Sequence, residues 1–377
     1  MEKHYVFSAP GRTEISGNHT DHQCGCVLAA AVNLETVADV QLNGSNIIRV
    51  RSEGYPVVEV NLDNLNVVEE EKNSTAALIR GVAAAFVQRG AVLQGFDAAV
   101  HSTVLPGSGL SSSAAFEVLI GTILNHLFFD QKLSDVEIAQ IGQYAENVYF
   151  GKPCGLMDQM ASSVGGMVFI DFEDPQNPVI EKIDFNLAKA GYALCIIDSG
   201  ADHADLTEEY AAIPNELKEI CKFFGKDVLR QIPEEEFLDK IPELRKHVPD
   251  RAILRALHVY EENKRVKIQA AALKNEDLYA FFRFVKHSGQ SSWMYLQNIY
   301  PSGSVMKQEV AVTLALCETL LQGKGACRVH GGGFAGTVQA FVPLKQLPNF
   351  KYEIEKVLGE GKCHVLDIRP VGGIRVQ

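Results

Sequence analysis

The chain of 377 residues has a hydrophobic fraction of 46% and a charged fraction of 22%, the balance of a soluble globular protein long enough for two ordinary domains. Its net charge of −12 repels nucleic acid and anionic membrane surfaces, which excludes both as the main partner while leaving room for a local phosphate pocket. The eight cysteines are scattered, several in apolar runs such as YALCIID around Cys195, and read as reduced thiols, not a disulfide framework. The N-terminus MEKHYVFSAPGR lacks the apolar segment and small-residue site of a signal peptide, and no apolar run approaches the roughly 20 residues needed to span a bilayer. The expectation is a cytoplasmic, monomeric protein.

In chain order, Val27–Val40 and Ile47–Arg51 read as strands, and Thr75–Arg89 as an amphipathic helix stopped at Gly90. Phe96–Val104 is a further strand. After the turn LPGSG comes a long apolar helix, about Ser111 to Phe129. Leu133–Tyr149 is predicted helical, starting near Ser134 with Glu137 three residues on, the pattern of a capping box. The polar, proline-containing Glu173–Val179 is the best interdomain loop, giving domains 1–175 and 176–377. Ala193–Asp198 reads as a buried strand, Glu216–Tyr260 as charged helix, and Gln339–Pro343 as a strand after a glycine-rich turn. Strands and helices mix in both halves, which points to two α/β or α+β domains with a cleft between them.

Four stretches concentrate groups that do chemistry. In Leu105–Leu119 (LPGSGLSSSAAFEVL), glycines expose backbone N–H groups and small serines open a helix beside the positive end of its dipole, a site for phosphate oxygens. A plain serine-capped helix explains the same residues. A Walker-type loop, a serine-hydrolase elbow and a dinucleotide fingerprint are each excluded, the last because Ser112 stands where its third glycine belongs. In Ala9–Val32, Arg12, His19, Asp21 and His22 crowd polar groups before an apolar strand, as a ligand held by several hydrogen bonds requires. Zinc on His19, His22, Cys24 and Cys26 is disfavoured by their spacing.

In Ala145–Gly166, Glu146 lies near a helix end and Asp158 follows a Gly-Lys-Pro-Cys-Gly turn. Asp158 reads equally as a helix cap or as a positioned base or metal ligand. In Cys327–Val342, three consecutive glycines (Gly331–Gly333) permit close backbone approach to a ligand or another loop.

Together, in this order, the four stretches resemble the motif set of the GHMP kinase superfamily, and Ala9–Val32 resembles the galactokinase signature. The resemblance runs from about Ala9 to the end of the chain. It implies an α+β fold: an N-terminal domain of the ribosomal protein S5 domain 2-like type, a ferredoxin-like C-terminal domain, and an active site in the cleft between. It also implies ATP and Mg²⁺, with the anomeric hydroxyl of a hexose as phosphoryl acceptor. By position, Asp158 matches the catalytic aspartate and Arg12 the arginine close to it. Ser113 and Glu146 match magnesium ligands, and Gly107, Ser108, Gly109, Leu110, Ser111, Ser112 and Ser113 match the phosphate loop. His19, Asp21, Gly155 and Tyr210 match sugar-contacting positions, and Gly331–Gly336 matches the third motif.

The chain departs from the family pattern in places. Where galactokinases read G-R-V-N-L-I-G-E-H-T-D-Y-N, this sequence reads GRTEISGNHTDHQ, so Asn18 replaces a sugar-facing glutamate, Glu14 an asparagine and His22 a tyrosine. A neutral Asn18 would accept a hydroxyl or a carboxylate at C6 of the sugar, so the expected substrate is galactose, with galacturonate second and N-acetylgalactosamine third. A non-catalytic galactose and ATP sensor is the alternative from another class; Arg12, Ser113, Glu146 and Asp158 are all present, which favours an enzyme.

Overall fold

The computed structural model describes residues 4–104, 109–152, 154–201 and 206–377. Its elements are β1 (His4–Ser16), β2 (Cys26–Leu42), β3 (Ile47–Ser52), β4 (Val58–Asn61), α1 (Thr75–Gln88), β5 (Phe96–Ser102), α2 (Ser112–Phe128), α3 (Asp135–Tyr144), α4 (Met157–Val164), β6 (Met167–Asp171) and β7 (Val179–Ile183). They continue with β8 (Tyr192–Asp198), α5 (Thr207–Phe223), α6 (Glu234–Leu244), α7 (Asp250–Lys274), α8 (Leu278–Ser291), α9 (Glu309–Leu321), β9 (Ala326–His330), β10 (Thr337–Pro343), α10 (Leu347–Leu358), β11 (Cys363–Leu366) and β12 (Ile374–Arg375). No described helix is long and apolar enough to cross a membrane.

The chain forms two compact units: Met1–Arg12, Ala30–Gly166 and Ile368–Gln377 make the first, and Thr13–Ala29 with Met167–Asp367 the second. This differs from a single cut at 175/176, because the chain enters the second unit early, within β1, and returns to the first for its last ten residues. The polar segment expected to join domains instead lies between β6 and β7, both in the second unit.

In the first unit the strand order is β12-β1-β2-β5-β3-β4. The β2–β5 ladder is antiparallel, with Thr36 opposite Ser102, and the β3–β5 ladder parallel, with Arg49 opposite Asp97. The apolar faces of α1, α2 and α3 supply Ile79, Val82, Phe86, Leu119, Ile123 and Ile138 to a core shared with Phe7, Val40, Ile48 and Phe96 of the sheet. Ser74 caps α1 through Ala77 N. Ser134 and Glu137 form the expected capping box of α3. The helix predicted to run on to Tyr149 changes winding at Ala145–Phe150 to a π-helical turn, a device common at functional sites, and Glu146 lies buried within it.

The second unit holds the antiparallel sheet β11-β8-β10-β9. Cys195, Ile197, Val329 and Val338 pack there against Val310, Leu314 and Cys317 of α9 and Phe350 and Ile354 of α10. A separate helical core joins Ile213 and Leu217 of α5, Phe237 of α6 and Ala256 and Val259 of α7. The long helical prediction Glu216–Tyr260 thus resolves into α5, α6 and the start of α7.

Candidate active site

Arg12, near the end of the first unit's opening segment, donates from Nε to Asp158 Oδ1 at 2.7 Å and from Nη1 to the Gly109 carbonyl. Its own backbone N–H donates to Leu110 O at 3.1 Å. Ser111 donates its hydroxyl to the other Asp158 oxygen, Oδ2. Residues far apart in sequence are thereby gathered at one carboxylate. Burial alone would raise the Asp158 carboxyl, but Arg12 and the Ser111 hydroxyl outweigh it and hold it below the ordinary carboxylate range. Asp158 keeps 31% of its side chain exposed, so a ligand can reach it.

Two plain readings of these residues fall. Asp158 is the second residue of α4, and that helix has no side-chain cap, so Asp158 is not a cap. Ser111 does stand at the N-cap of α2, but its side chain makes no cap bond there. It sits at φ 54° in the left-handed region, where a serine is strained by about 1 kcal/mol or more. With its hydroxyl spent on Asp158 and not on the helix, Ser111 is not a plain helix cap. Gly107 and Ser108, expected in a phosphate loop, lie outside the described residues; Ser112 and Ser113 form the first turn of α2. Gly155 lies in the segment leading into α4.

Behind this centre, two buried carboxylates meet at one amide. Gln159 Nε2 donates to Glu146 Oε2 at 2.8 Å and to Glu117 Oε2 at 2.9 Å. Glu146 Oε1 lies 3.6 Å from Nζ of the exposed Lys152. Glu117 Oε1 has no hydrogen-bond partner among the described residues. Burial, reinforced by Glu146, pushes the Glu117 carboxyl well above its ordinary range. Gly142 of α3 packs closely here: a Cβ would lie 3.0 Å from Gln159 Cγ and 3.2 Å from Glu117 Oε2, so either side chain would have to give by a few tenths of an ångström. Glu117 and Gln159 were not among the residues singled out from sequence. The available signal is a lone carboxylate inside the apolar run AAFEVLI.

In the second unit, the loop after β1 is held by a buried polar network. Asn18 is fully buried: Nδ2 donates to Gly331 O (2.6 Å) and Glu14 Oε1 (3.3 Å), and Oδ1 accepts from Asn298 Nδ2 (2.9 Å) and Ser292 Oγ (3.3 Å). All four of its hydrogen-bonding positions are taken inside the protein. Glu14 pairs with the buried Arg328. Glu262 accepts from Arg265 Nε (2.7 Å), Ser288 Oγ (2.6 Å) and Gly17 N (3.1 Å). Burial opposes ionisation of Glu262, yet Arg265, His258 and Arg328 bring it down to about 2.

His19 and His22 form a directed chain. The Gly332 carbonyl can only accept, so His19 Nε2 carries the proton across 3.1 Å. His19 Nδ1 then accepts from His22 Nε2 at 3.3 Å, and His22 Nδ1 from Gln23 Nε2 at 3.2 Å. This order requires both rings neutral. Burial lowers both, taking His22 to about 3. No cluster of three or more metal-binding side chains exists among the described residues. Asp21 Oδ1 accepts from His22 N at 2.8 Å within a short 3₁₀ turn. Tyr210 donates to Gly333 O at 2.7 Å. Gly333 (φ 82°) lies where a Cβ would meet Asn298 O at 2.1 Å, so this turn admits no other residue without moving.

Comparison with known proteins agrees along the length of the chain. The model for the GHMP kinases N terminal domain matches residues 77–166, and that for the galactokinase galactose-binding signature residues 1–42. The galactokinase of Actinobacillus pleuropneumoniae serotype 3 is 31% identical over 367 residues, covering 93% of this chain and 90% of the relative. That of Haemophilus influenzae strain PittEE is 32% identical over 343 residues, 89% of this chain and 84% of its own. The structure of Lactococcus lactis galactokinase complexed with galactose superimposes with a TM-score of 0.83 at 24% identity, over 99% of this chain and 95% of that one. The Methanococcus jannaschii mevalonate kinase shares the fold at a TM-score of 0.68 and 14% identity, over 97% of this chain and 98% of that one. The mixed α/β fold is that of the GHMP kinases, and the chain belongs to the galactokinase family.

Proposed function

We propose that the protein transfers the γ-phosphoryl group of ATP to the anomeric hydroxyl of galactose, giving galactose 1-phosphate. The observation that carries this reading is Asp158: a partly exposed carboxylate held ionised by Arg12 and Ser111, beside the helix that opens with Ser112 and Ser113. The galactokinase relatives supply the sugar.

Phosphoryl transfer asks the protein for positioning and charge neutralisation more than covalent chemistry. The sugar oxygen bonds the γ-phosphorus as the bond to the β-phosphate oxygen breaks. Asp158 accepts the hydroxyl's hydrogen bond, aligns the oxygen and takes the proton. Arg12 keeps Asp158 charged and aimed. The amides at the start of α2, around Ser111 to Ser113, cradle the phosphates. Asp21, Gly155 and Tyr210 are the proposed sugar contacts; His19, with both ring nitrogens engaged by Gly332 O and His22, reaches the sugar only by exchanging one of those bonds. Asn18, with every polar position used internally, acts by holding the loop and the glycine turn.

A magnesium ion fits the residues present. Glu146 is a buried carboxylate whose two oxygens meet the neutral Gln159 amide and, at 3.6 Å, the exposed Lys152. A buried carboxylate offset so weakly suits a hard cation that takes one or two protein ligands plus phosphate oxygens. Glu146 and the Ser113 hydroxyl would hold it, and it would neutralise charge on the nucleotide's phosphates.

The test is ADP release with Mg-ATP over a sugar panel of galactose, galacturonate, N-acetylgalactosamine and glucose. Galactose should exceed the others in kcat/KM. Preference for galacturonate would replace the substrate but keep the reaction. Silence on every sugar with ATP binding intact would make the protein a sensor.

A further inference from the structure

The Glu117–Gln159–Glu146 arrangement has a geometry that plain packing does not require. Glu117 is one turn beyond Ser113 on α2, the i, i+4 relation that stacks two side chains on one helix face. Gln159 follows Asp158 directly in α4. Glu146 comes from the π-helical turn after α3. One planar nitrogen with two hydrogens spends both on carboxylates from two other elements. A buried carboxylate in an apolar helix is costly, and the unpartnered Oε1 of Glu117 adds to that cost. What the arrangement gains is a fixed Glu146: the amide holds Oε2, while Oε1 has only the 3.6 Å approach of the exposed Lys152 Nζ to orient it.

We propose that Glu117 is a positioning residue, which through the Gln159 amide fixes the Glu146 carboxylate and so sets the affinity of the site for a divalent cation. The inference rests on the reading of Glu146 as a cation ligand. It makes α2 a carrier of two parts of one site, the Ser113 hydroxyl and the anchor that orients the opposite ligand. Partners that orient a metal ligand commonly matter about 10–100-fold in metal affinity or activity.

The test is Mn²⁺ binding, followed by the loss of its free-ion electron paramagnetic resonance signal, with a non-hydrolysable ATP analogue present. Glu117→Leu and Gln159→Met should each weaken Mn²⁺ by about 10-fold, while Glu117→Gln, which still accepts from Gln159, stays within about 3-fold of the parent. The double variant Glu117→Leu/Gln159→Met should be no weaker than either single one, because both break the same link. Unchanged Mn²⁺ affinity in Glu117→Leu, or a Glu117→Gln variant as weak as Glu117→Leu, would overturn the proposal. Should Glu117→Leu not fold, Glu117→Met, which keeps the chain length but offers Gln159 no carboxyl acceptor, carries the same test with the same expected loss of about 10-fold. Glu146→Gln separates the two claims: if it leaves Mn²⁺ affinity intact, Glu146 is no ligand and the premise fails, whatever Glu117 does.

Discussion

The Arg12–Asp158 centre of the first unit and the Gly17–Gly25 loop of the second use polar residues in opposite ways. At the first, charged groups meet with capacity left over: Asp158 is about a third exposed, and each of its oxygens has a lone pair beyond its bond to Arg12 or Ser111. In the second, Asn18 has nothing left over, and His19 and His22 are locked neutral in a chain ending on the Gly332 carbonyl. Arg12 and the loop even share one polar stretch of sequence, Ala9–Val32. The difference teaches that a motif residue can serve chemistry either by facing a ligand or by using itself up to hold a backbone that does. Burial and bond count, not residue type, tell the two apart.

Asp158→Asn should sharpen the comparison most. It removes the proton acceptor while sparing shape, so kcat should fall about 10³-fold or more with nucleotide-analogue affinity within a few-fold of the parent. Asn18→Leu should act on stability instead. It strands several buried partners, and a loss of about 3 kcal/mol is expected in the denaturant midpoint, with the slope unchanged. If Asn18→Leu lowered turnover without lowering stability, residue 18 would belong with Asp158.

The loop should also respond to acid. Burial lowers His258 to about 4 and His22 to about 3, below the roughly 6.5 of an unfolded histidine. Between these values the unfolded chain binds protons that the folded one does not. Stability is therefore full above about pH 6.5 and falls as pH drops, by about 1.4 kcal/mol per unit for each such histidine. Thermal unfolding at pH 7, 6 and 5 should show this, and His258→Gln should flatten the slope; an unchanged slope would remove His258 from the explanation. The smallest expected effect is at Ser111. Glycine there should relieve the left-handed strain and stabilise the fold by about 1 kcal/mol relative to Ser111→Ala, although both lose the bond to Asp158.

Much of the first unit was legible because its signals are local. The Ser134–Glu137 capping box, the apolar periodicity of α1 and the serine-rich start of α2 all stand where the spacing put them. The π-helical turn at Ala145–Phe150 was not legible, since no residue type marks a one-residue change of winding. Nor was the early passage into the second unit within β1, because a continuous strand carries no boundary signal. At the site, residue types at Arg12, Ser111 and Asp158 pointed to chemistry, while the inward turn of Asn18 depends on Asn298 and Gly331, some three hundred residues away. Long-range partners of that kind leave no trace in a local pattern.

The most direct measurement is a double-mutant cycle on kcat for galactose phosphorylation with Arg12→Leu, Asp158→Asn and the pair. If Arg12 serves to keep Asp158 charged and aimed, each single variant loses nearly everything and the double loses no more than either. Losses that multiply in the double variant would show two independent contributions, and the single device built on Asp158 would be contradicted.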